Sequence, residues 1–255
     1  MRKTEAVIFD WAGTTVDYGC FAPVQAFAEV FKHFGIVPTM EEVRKPMGML
    51  KIDHIRTMLQ MERIQELWRK QWGRNSGEED VLAMYQMFEV KLMGILDQYA
   101  DPKPHVLETV EELRNRGVKI GSTTGYTDDM MQIVTRNAKK AGYEPDAWFS
   151  PDSTGKMGRP YPYMIFKNME VLKVSAVESV VKVGDTVSDI REGKNAGVRT
   201  IGVVEGSSEM GMTCKEYEAL TEEARLVEIE RVENIYRKAG ADHVILNLGE
   251  LPDIL

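Results

Sequence analysis

Three features of the sequence predict an α/β protein built on a doubly wound, Rossmann-like parallel sheet with an all-helical insertion. Ala6 to Phe9 is a short unbroken apolar run that leads into Asp10, and Val118 to Thr123 and Ser179 to Gly184 read as further strands that lead into Thr124-Gly125 and Asp185. Such an apolar run reads as a strand buried on both faces, the form taken in parallel sheets. Helical patterns separate the strands, and alternation of strand with helix implies the doubly wound core. Between the first and second strands, roughly 80 residues carry no convincing buried strand and are rich in Met, Gln, Glu and Arg.

The expected division is a core domain of residues 1–19 and 101–255 and a helical cap domain of residues 20–100. The cap leaves the chain just after Asp10 and returns before the second strand. That places it over the carboxyl edge of the sheet, where open parallel sheets bind their ligands.

Element by element, Phe21 to Phe34 has helical spacing and stops at Gly35, a C-terminal punctuator. Thr39-Met40-Glu41-Glu42 has the form of a capping box. Trp68 and Trp72, four apart, belong to one helix face. The breaker cluster Asp101-Pro102-Lys103-Pro104 closes the insertion. A helix from about His105 to Arg116 then precedes the second strand. Asp128 is expected to cap the next helix, which runs to about Ala141, and Trp148 to Ser150 is a short strand. A helix with proline at its start is expected from Pro160 to about Leu172, and Ser175 is a candidate cap for a short turn. After the strand ending at Asp185 come a helix to about Ala196 and a strand from Val198 to Val204. Thr213 to Glu216 forms another capping box ahead of one long helix, or two, reaching Arg237. His243 to Ile245 reads as a last edge strand.

Composition narrows the function classes. The 255 residues carry a net charge of −8 with a pI of about 5.2, which argues against a nucleic-acid binder and its basic footprint. Cys20 and Cys214 are far apart, so neither a disulfide framework nor a cysteine-based zinc site is expected. The N-terminal apolar run is too short for a signal peptide, and no run approaches the roughly 18 apolar residues of a membrane span. A cytoplasmic protein is the simplest expectation.

The chemistry-bearing residues lie at strand ends. Asp10 can bind a metal or attack an electrophile, and Gly13 permits a tight turn beside it. Thr124 and Gly125 offer a hydroxyl and an amide, and Lys156 and Arg159 offer cations around a glycine-containing loop. Asp185 and Asp189, four apart, point to one pocket if Asp189 lies on the first turn of a helix. A phosphoryl group needs this set: oxygen ligands for Mg²⁺, donors and a cation for the spread negative charge, and a carboxylate nucleophile. Each piece alone has a plain structural use, as a turn, a helix cap or a solvated side chain. All four occurring in order at strand ends is far more specific.

In this arrangement the chain resembles the haloacid dehalogenase superfamily of phosphotransferases. The carriers are Phe9-Asp10-Trp11-Ala12-Gly13-Thr14, Ser122-Thr123-Thr124-Gly125, Lys156 to Pro160, and Val183-Gly184-Asp185-Thr186-Val187-Ser188-Asp189. One departure stands out. The superfamily pattern has a general acid two residues after the nucleophile, where this chain has Ala12. For an ester substrate, losing that acid typically costs 10²–10⁴-fold. A leaving group with its own electron sink has less need of it.

The insertion offers such a sink in Pro46-Met47-Gly48-Met49-Leu50-Lys51-Ile52-Asp53-His54. With Asp10 to Cys20 and Gly158-Arg159-Pro160-Tyr161-Pro162, this segment resembles the phosphonoacetaldehyde hydrolase (phosphonatase) family over essentially the full length. That resemblance implies a Schiff base between Lys51 and the substrate aldehyde, and attack of Asp10 on phosphorus. It implies Mg²⁺ held by Asp10, the main-chain carbonyl of Ala12 and Asp185, with Asp189 in or behind the ligand set. Thr124, Gly125 and Arg159 would bind the phosphonate. Cys20, Met47, Gly48 and Tyr126 would line the pocket, and His54 would assist through a water. A role in 2-aminoethylphosphonate degradation and a homodimer paired through its caps are implied in the same way.

Lys51 must be neutral to attack a carbonyl. At an ordinary pKa of about 10.4, roughly one lysine in 2,500 is neutral at pH 7, and lowering the pKa to about 8 makes it roughly one in ten. Plainer readings exist beside these: a solvated Lys51 on a helix, and a Cys20 that is a small buried hydrophobe. Two rival functions are another capped phosphatase or phosphomutase, which Ala12 and the Lys51 segment disfavour, and a non-catalytic receiver, for which the cap has no evident use.

Overall fold

The computed structural model describes residues 3–255. Strands β1 (Ala6–Phe9), β2 (Lys119–Thr123), β3 (Ala147–Phe149), β4 (Val180–Gly184), β5 (Arg199–Val203) and β6 (His243–Ile245) form one sheet in the order β3-β2-β1-β4-β5-β6. Every neighbouring pair is parallel. The order reverses at β1, which pairs with β2 on one side and β4 on the other. A crevice opens at such a switch point beyond the strand ends. Phe9 lies opposite both Ser122 and Val183, so the residues that follow each of these three strands meet at that crevice.

The central strands owe their place to their apolar runs: every residue of β1 and β4 is buried. Lys182, in the middle of β4, is the exception in chemistry but not in burial. One face of the sheet packs Ile8, Val180 and Val198 against Ile165 of α8 (Tyr163–Val171) and Ala196 of α9 (Val187–Ala196). On the other face, Val7, Phe9, Ile120 and Val183 belong to a larger core with Val110 and Leu113 of α6 (Val106–Asn115) and Met130 and Val134 of α7 (Asp128–Lys140).

That larger core continues into the segment between β1 and β2. There α1 (Phe21–His33), α2 (Met40–Arg44), α3 (Lys51–Leu59), α4 (Glu62–Trp72) and α5 (Glu78–Met93) are followed by a 3₁₀ turn, Leu96–Tyr99. Phe27, Phe31, Ile55, Met58, Trp68, Met84 and Phe88 are buried among these helices, with α5 packed on both α1 and α3. Trp68 is buried and stacks 5.9 Å from Trp72, which is half exposed. The capping box at Thr39 and Glu42 is formed. Asp17 fixes the entry to the segment, its carboxylate accepting from the Phe21 and Ala22 amides at 2.8 and 3.0 Å. Val16 bridges to Pro102, and the Lys103 amide donates to Thr15 O at 2.9 Å, so the outgoing and returning chains are held side by side.

Three local expectations are corrected. Thr127, not Asp128, caps α7; its hydroxyl accepts from the Met130 amide, while Asp128 receives the Ser150 hydroxyl. Residues 160–162 form a turn, with Tyr161 N donating to Gly158 O, because Arg159 is turned into the core, and α8 starts only at Tyr163. Ser175 caps nothing; its amide and hydroxyl both bond Glu5. For the charged C-terminal stretch, left open as one helix or two, the structure has two, α10 (Cys214–Glu218) and α11 (Glu222–Ala239), because Thr221 starts a new cap on the Ala224 amide. A short α12 (Leu251–Ile254) ends the chain. No helix among the described residues is long and apolar enough to cross a membrane.

Candidate active site

The crevice beyond β1 and β4 gathers three buried carboxylates. Asp10, Asp185 and Asp189 each place an oxygen within 4.8 Å of the others. Asp10 is the first residue after β1, Asp185 the first after β4, and Asp189 lies on the first turn of α9. Asp185 is fixed on both oxygens, by the Thr14 hydroxyl at 3.0 Å and the Ser208 amide at 2.7 Å. Gly13 allows this approach: its φ is +90°, and a Cβ there would lie 2.1 Å from Asp185 Oδ2. Burial, then the neighbouring Asp10 and Asp189 charges, push the Asp185 carboxyl well above the usual carboxylate range. Buried carboxylates that repel one another at this range fit a hard divalent cation, which takes oxygen ligands. Ala12 lines the same cavity.

Arg159 crosses beneath Asp10 and is itself buried. One Nη2 donates to Asp10 Oδ1 at 2.5 Å and to Thr123 O at 2.9 Å, Nη1 lies 3.1 Å from Asp189, and Nε donates to Glu192 at 3.1 Å. Burial opposes its charge, but Asp10, Asp189 and Glu192 outweigh it and strengthen the guanidinium's hold on its proton. Lys182 lies on the other side of the same two carboxylates, 2.8 Å from Asp189 and 3.5 Å from Glu192. Asp189 therefore faces two cations with Oδ1 and accepts the Thr186 hydroxyl on Oδ2 at 2.6 Å. Despite burial, Arg159 and Lys182 hold its carboxyl below the ordinary value.

The helical segment closes the cavity from above. Its loop before α3 brings Met47 and Gly48 onto the β4–α9 loop and the first turn of α9, where Ser188 Oγ donates to Met47 O at 3.2 Å. Gly48 has φ +83°, and a Cβ there would meet Thr186 Oγ1 at 2.4 Å, so only glycine lets this loop seat. Lys51 is the first residue of α3 and is 4% exposed. Its Nζ lies 5.0 Å from the centroid of the Tyr126 ring, and among the described residues no carboxylate stands within ion-pair distance of it. Burial lowers its pKa; Cys20 and Asp10 partly oppose that and Arg159 adds to it. Its place at a helix N-terminus works in the same direction, since the helix dipole disfavours a cation there.

One cavity is thus lined by Asp10, Ala12, Cys20, Met47, Gly48, Lys51, Thr124, Gly125, Tyr126 and Arg159. Every residue the sequence nominates is brought to it except four. Asp185 and Asp189 stand directly behind Asp10. His54 is buried one turn along α3, stacked 3.8 Å from Phe27, with Nε2 2.9 Å from Val43 O and Nδ1 without a partner among the described residues. Burial and then Lys51 depress its pKa well below the usual imidazole value, so it is neutral. Cys20 has its thiol pushed well up by burial and by Asp17 and Asp185, as suits a packed thiol. Thr124 Oγ1 accepts from the Tyr126 amide at 3.0 Å. Lys156, offered by the sequence as a cation beside Arg159, is instead an exposed residue paired with Asp152.

Several site residues escape the sequence. Thr186 lines the cavity, Ser208 donates to Asp185, and Thr123, Lys182 and Glu192 surround Arg159. A lysine inside the apolar run of β4 was a visible signal; nothing local marks Ser208. Larger surface grooves, such as the one of about 480 Å³ beside Trp11, Arg136 and Tyr143, are lined by exposed acids and bases, whereas the carboxylates gathered at Asp10, Asp185 and Asp189 are buried.

Comparison with known proteins agrees with this geometry. The haloacid dehalogenase-like hydrolase family matches residues 4–197. A phosphonoacetaldehyde hydrolase of Lysinibacillus sphaericus (strain C3-41) is 52% identical over 253 residues, covering 99% of this chain and 94% of that protein. A bifunctional phosphonoacetaldehyde hydrolase/aminoethylphosphonate transaminase of Clostridioides difficile (strain 630) is 53% identical over 254 residues, and the chain spans 40% of that longer protein. Among solved structures, a phosphonoacetaldehyde hydrolase-like protein from Oleispira antarctica superposes with a TM-score of 0.95 at 37% identity, covering 99% of this chain and 91% of that one. Identity of this extent, over a fold that places the nominated residues around one cavity, makes the chain a member of the phosphonoacetaldehyde hydrolase family of haloacid dehalogenase-like hydrolases.

Proposed function

We propose that the protein is a phosphonoacetaldehyde hydrolase that cleaves the carbon–phosphorus bond of phosphonoacetaldehyde to give acetaldehyde and phosphate. The observation that carries this is a buried lysine, unpaired with any carboxylate among the described residues, facing the same cavity as Asp10 and Arg159. Lys51 supplies an amine for the aldehyde, and the Asp10 side supplies a nucleophile and a cation for the phosphonate. The relatives' names support this substrate.

In this mechanism Lys51 Nζ adds to the aldehyde carbon, and loss of water gives an iminium. Arg159, with Thr124 and Gly125, holds the phosphonate oxygens in line with Asp10. Asp10 attacks phosphorus, the carbon–phosphorus bond breaks, and its electron pair flows into the iminium to form an enamine. No proton need reach the departing carbon in that step, which is why Ala12 is tolerated where esterases need an acid. The enamine then takes a proton at carbon, and water releases acetaldehyde from Lys51. A second water hydrolyses the acyl phosphate on Asp10, releasing phosphate and restoring the carboxylate. Cys20, Met47, Gly48 and Tyr126 exclude bulk water and keep the amine uncharged. His54, neutral and outside the cavity lining, assists only indirectly, its Nδ1 accepting a hydrogen bond from a water on the Lys51 side.

Asp10, the Ala12 carbonyl and Asp185 would hold Mg²⁺, with Asp189 supporting from behind. When bound, Mg²⁺ neutralises the charge that the phosphonate brings against the carboxylates. We assign residues 1–19 and 101–255 to a core domain and residues 20–100 to a cap. A cytoplasmic homodimer joined through the caps, acting downstream of an aminoethylphosphonate transaminase, completes the proposal. The paired activities in the name of the C. difficile relative support that order.

The test is to supply Mg²⁺ and phosphonoacetaldehyde and follow both products. Equimolar acetaldehyde and phosphate are expected. Turnover of sugar phosphates but not of the phosphonate would overturn the proposal in favour of a phosphatase.

A further inference from the structure

We propose that Lys182 is a positioning residue: it balances the buried Asp189–Glu192 pair from below, so that the positive charge of Arg159 remains available to the anionic group of the substrate. This rests on the phosphonate-binding role given to Arg159 above.

The two cations share the same two carboxylates. Arg159 reaches Asp189 and Glu192 at 3.1 Å each, and Lys182 reaches them at 2.8 and 3.5 Å. Thr123 ties the set together: its hydroxyl lies 3.0 Å from Lys182 Nζ and 3.0 Å from Glu192 Oε2, and Arg159 Nη2 donates to it at 2.9 Å. Every one of these side chains is buried. Two positive charges therefore meet two negative ones, and Asp10 and Asp185 remain for a cation and a substrate. Without Lys182, one guanidinium would face Asp10, Asp189 and Glu192 alone.

The position makes sense only if the charge is used. Lys182 pairs in register with Ile8 and Thr200 in the middle of the sheet, where an apolar side chain would avoid the cost of burying an ammonium. Buried ion pairs are frequently no more stabilising than well-packed apolar replacements, so stability alone does not explain one here. The space is also built for it. Gly193 on α9 faces the lysine stem, and a Cβ there would stand 3.1 Å from Lys182 Cβ and 2.3 Å from Thr200 Cγ2. Lys182 touches neither cavity nor nucleophile, so it acts through Arg159.

The test uses the full chain loaded with Mg²⁺ and inorganic phosphate as the probe, with Lys182→Met, Glu192→Gln and the double variant. At an effective dielectric of about 20, a unit charge roughly 10–12 Å from an anion alters its binding on the order of tenfold. Lys182→Met is expected to weaken phosphate binding about tenfold, Glu192→Gln to tighten it, and the double variant to return within about threefold of the unsubstituted protein. The extent of borohydride trapping of acetaldehyde on Lys51 should be the same in all four. A purely structural role would instead lower thermal stability without ordering phosphate affinity by net charge. Unchanged affinity in Lys182→Met, or a double variant as weak as the single, overturns the proposal. If Lys182→Met does not fold, Glu192→Gln decides: failure to tighten phosphate overturns it. Failure of the functional proposal would show separately, as an unsubstituted protein that releases no acetaldehyde.

Discussion

The floor and the roof of the cavity are built from opposite materials. The floor is the carboxyl edge of the sheet, where Asp10, Asp185, Asp189, Glu192, Arg159 and Lys182 are locked by charge-assisted bonds. The roof is the helical segment, which brings one amine, Lys51, amid Met47, Cys20 and Tyr126 and leaves it without an ion pair among the described residues. The difference follows the two halves of the proposed substrate. A phosphonate needs fixed charges that do not reorganise. An aldehyde needs an amine stripped of its proton, which an apolar enclosure provides.

If that division is right, removing either half should be fatal while leaving the other half intact. Lys51→Arg and Asp10→Ala should each lose at least about 10⁴-fold in kcat, and the double variant should be no worse than either, since residues acting as one unit are not additive. Steady-state rates with both products measured would check this. Arg159→Lys should come next, costing about 10²–10³-fold in kcat/KM, because a point charge cannot reach Asp10, Asp189 and Glu192 as a fork does. Its Lys51 should still trap acetaldehyde.

Met47→Asp sharpens the roof's side of the contrast. Burial keeps the Lys51 pKa low, and a carboxylate beside it would raise that pKa. Because the neutral amine is the reactive form, the acid limb of the kcat/KM profile should move to higher pH by about one unit. A limb that stays put would mean the roof does not set the amine's protonation.

The smallest effect concerns the joint between floor and roof. Burial raises the Asp17 carboxyl from 3.8 to about 7, against the opposing bonds from Ala22 and Phe21. A carboxyl whose pKa rises on folding binds protons more tightly when folded. Its contribution to stability is full below about pH 4 and is lost as pH climbs towards 7. Asp17→Asn keeps an acceptor for the α1 amides and should flatten that slope in denaturation curves taken from pH 4 to 8.

Much of this division is legible in the sequence because strand ends are marked by chemistry. Asp10, Thr124 and Asp185 each follow a strand, and parallel pairing of those strands forces them together. Lys51 is legible only through its surrounding segment, since a lysine on a helix carries no local sign of burial. What stays hidden depends on tertiary approach. Ser208 reaches Asp185 from a loop 23 residues away, and Glu192 joins Arg159 across 33 residues. The choice of Thr127 over Asp128 as helix cap is hidden for a local reason: both side chains can cap, and the Ser150 hydroxyl claims Asp128.

The most direct measurement is borohydride trapping of acetaldehyde in Asp10→Ala, with a chelator present, followed by peptide mass spectrometry. An N-ethyl group on Lys51, at the extent seen in the unsubstituted protein, is the predicted result: the roof completes its chemistry without the floor. No adduct, or one on another lysine, would contradict the account.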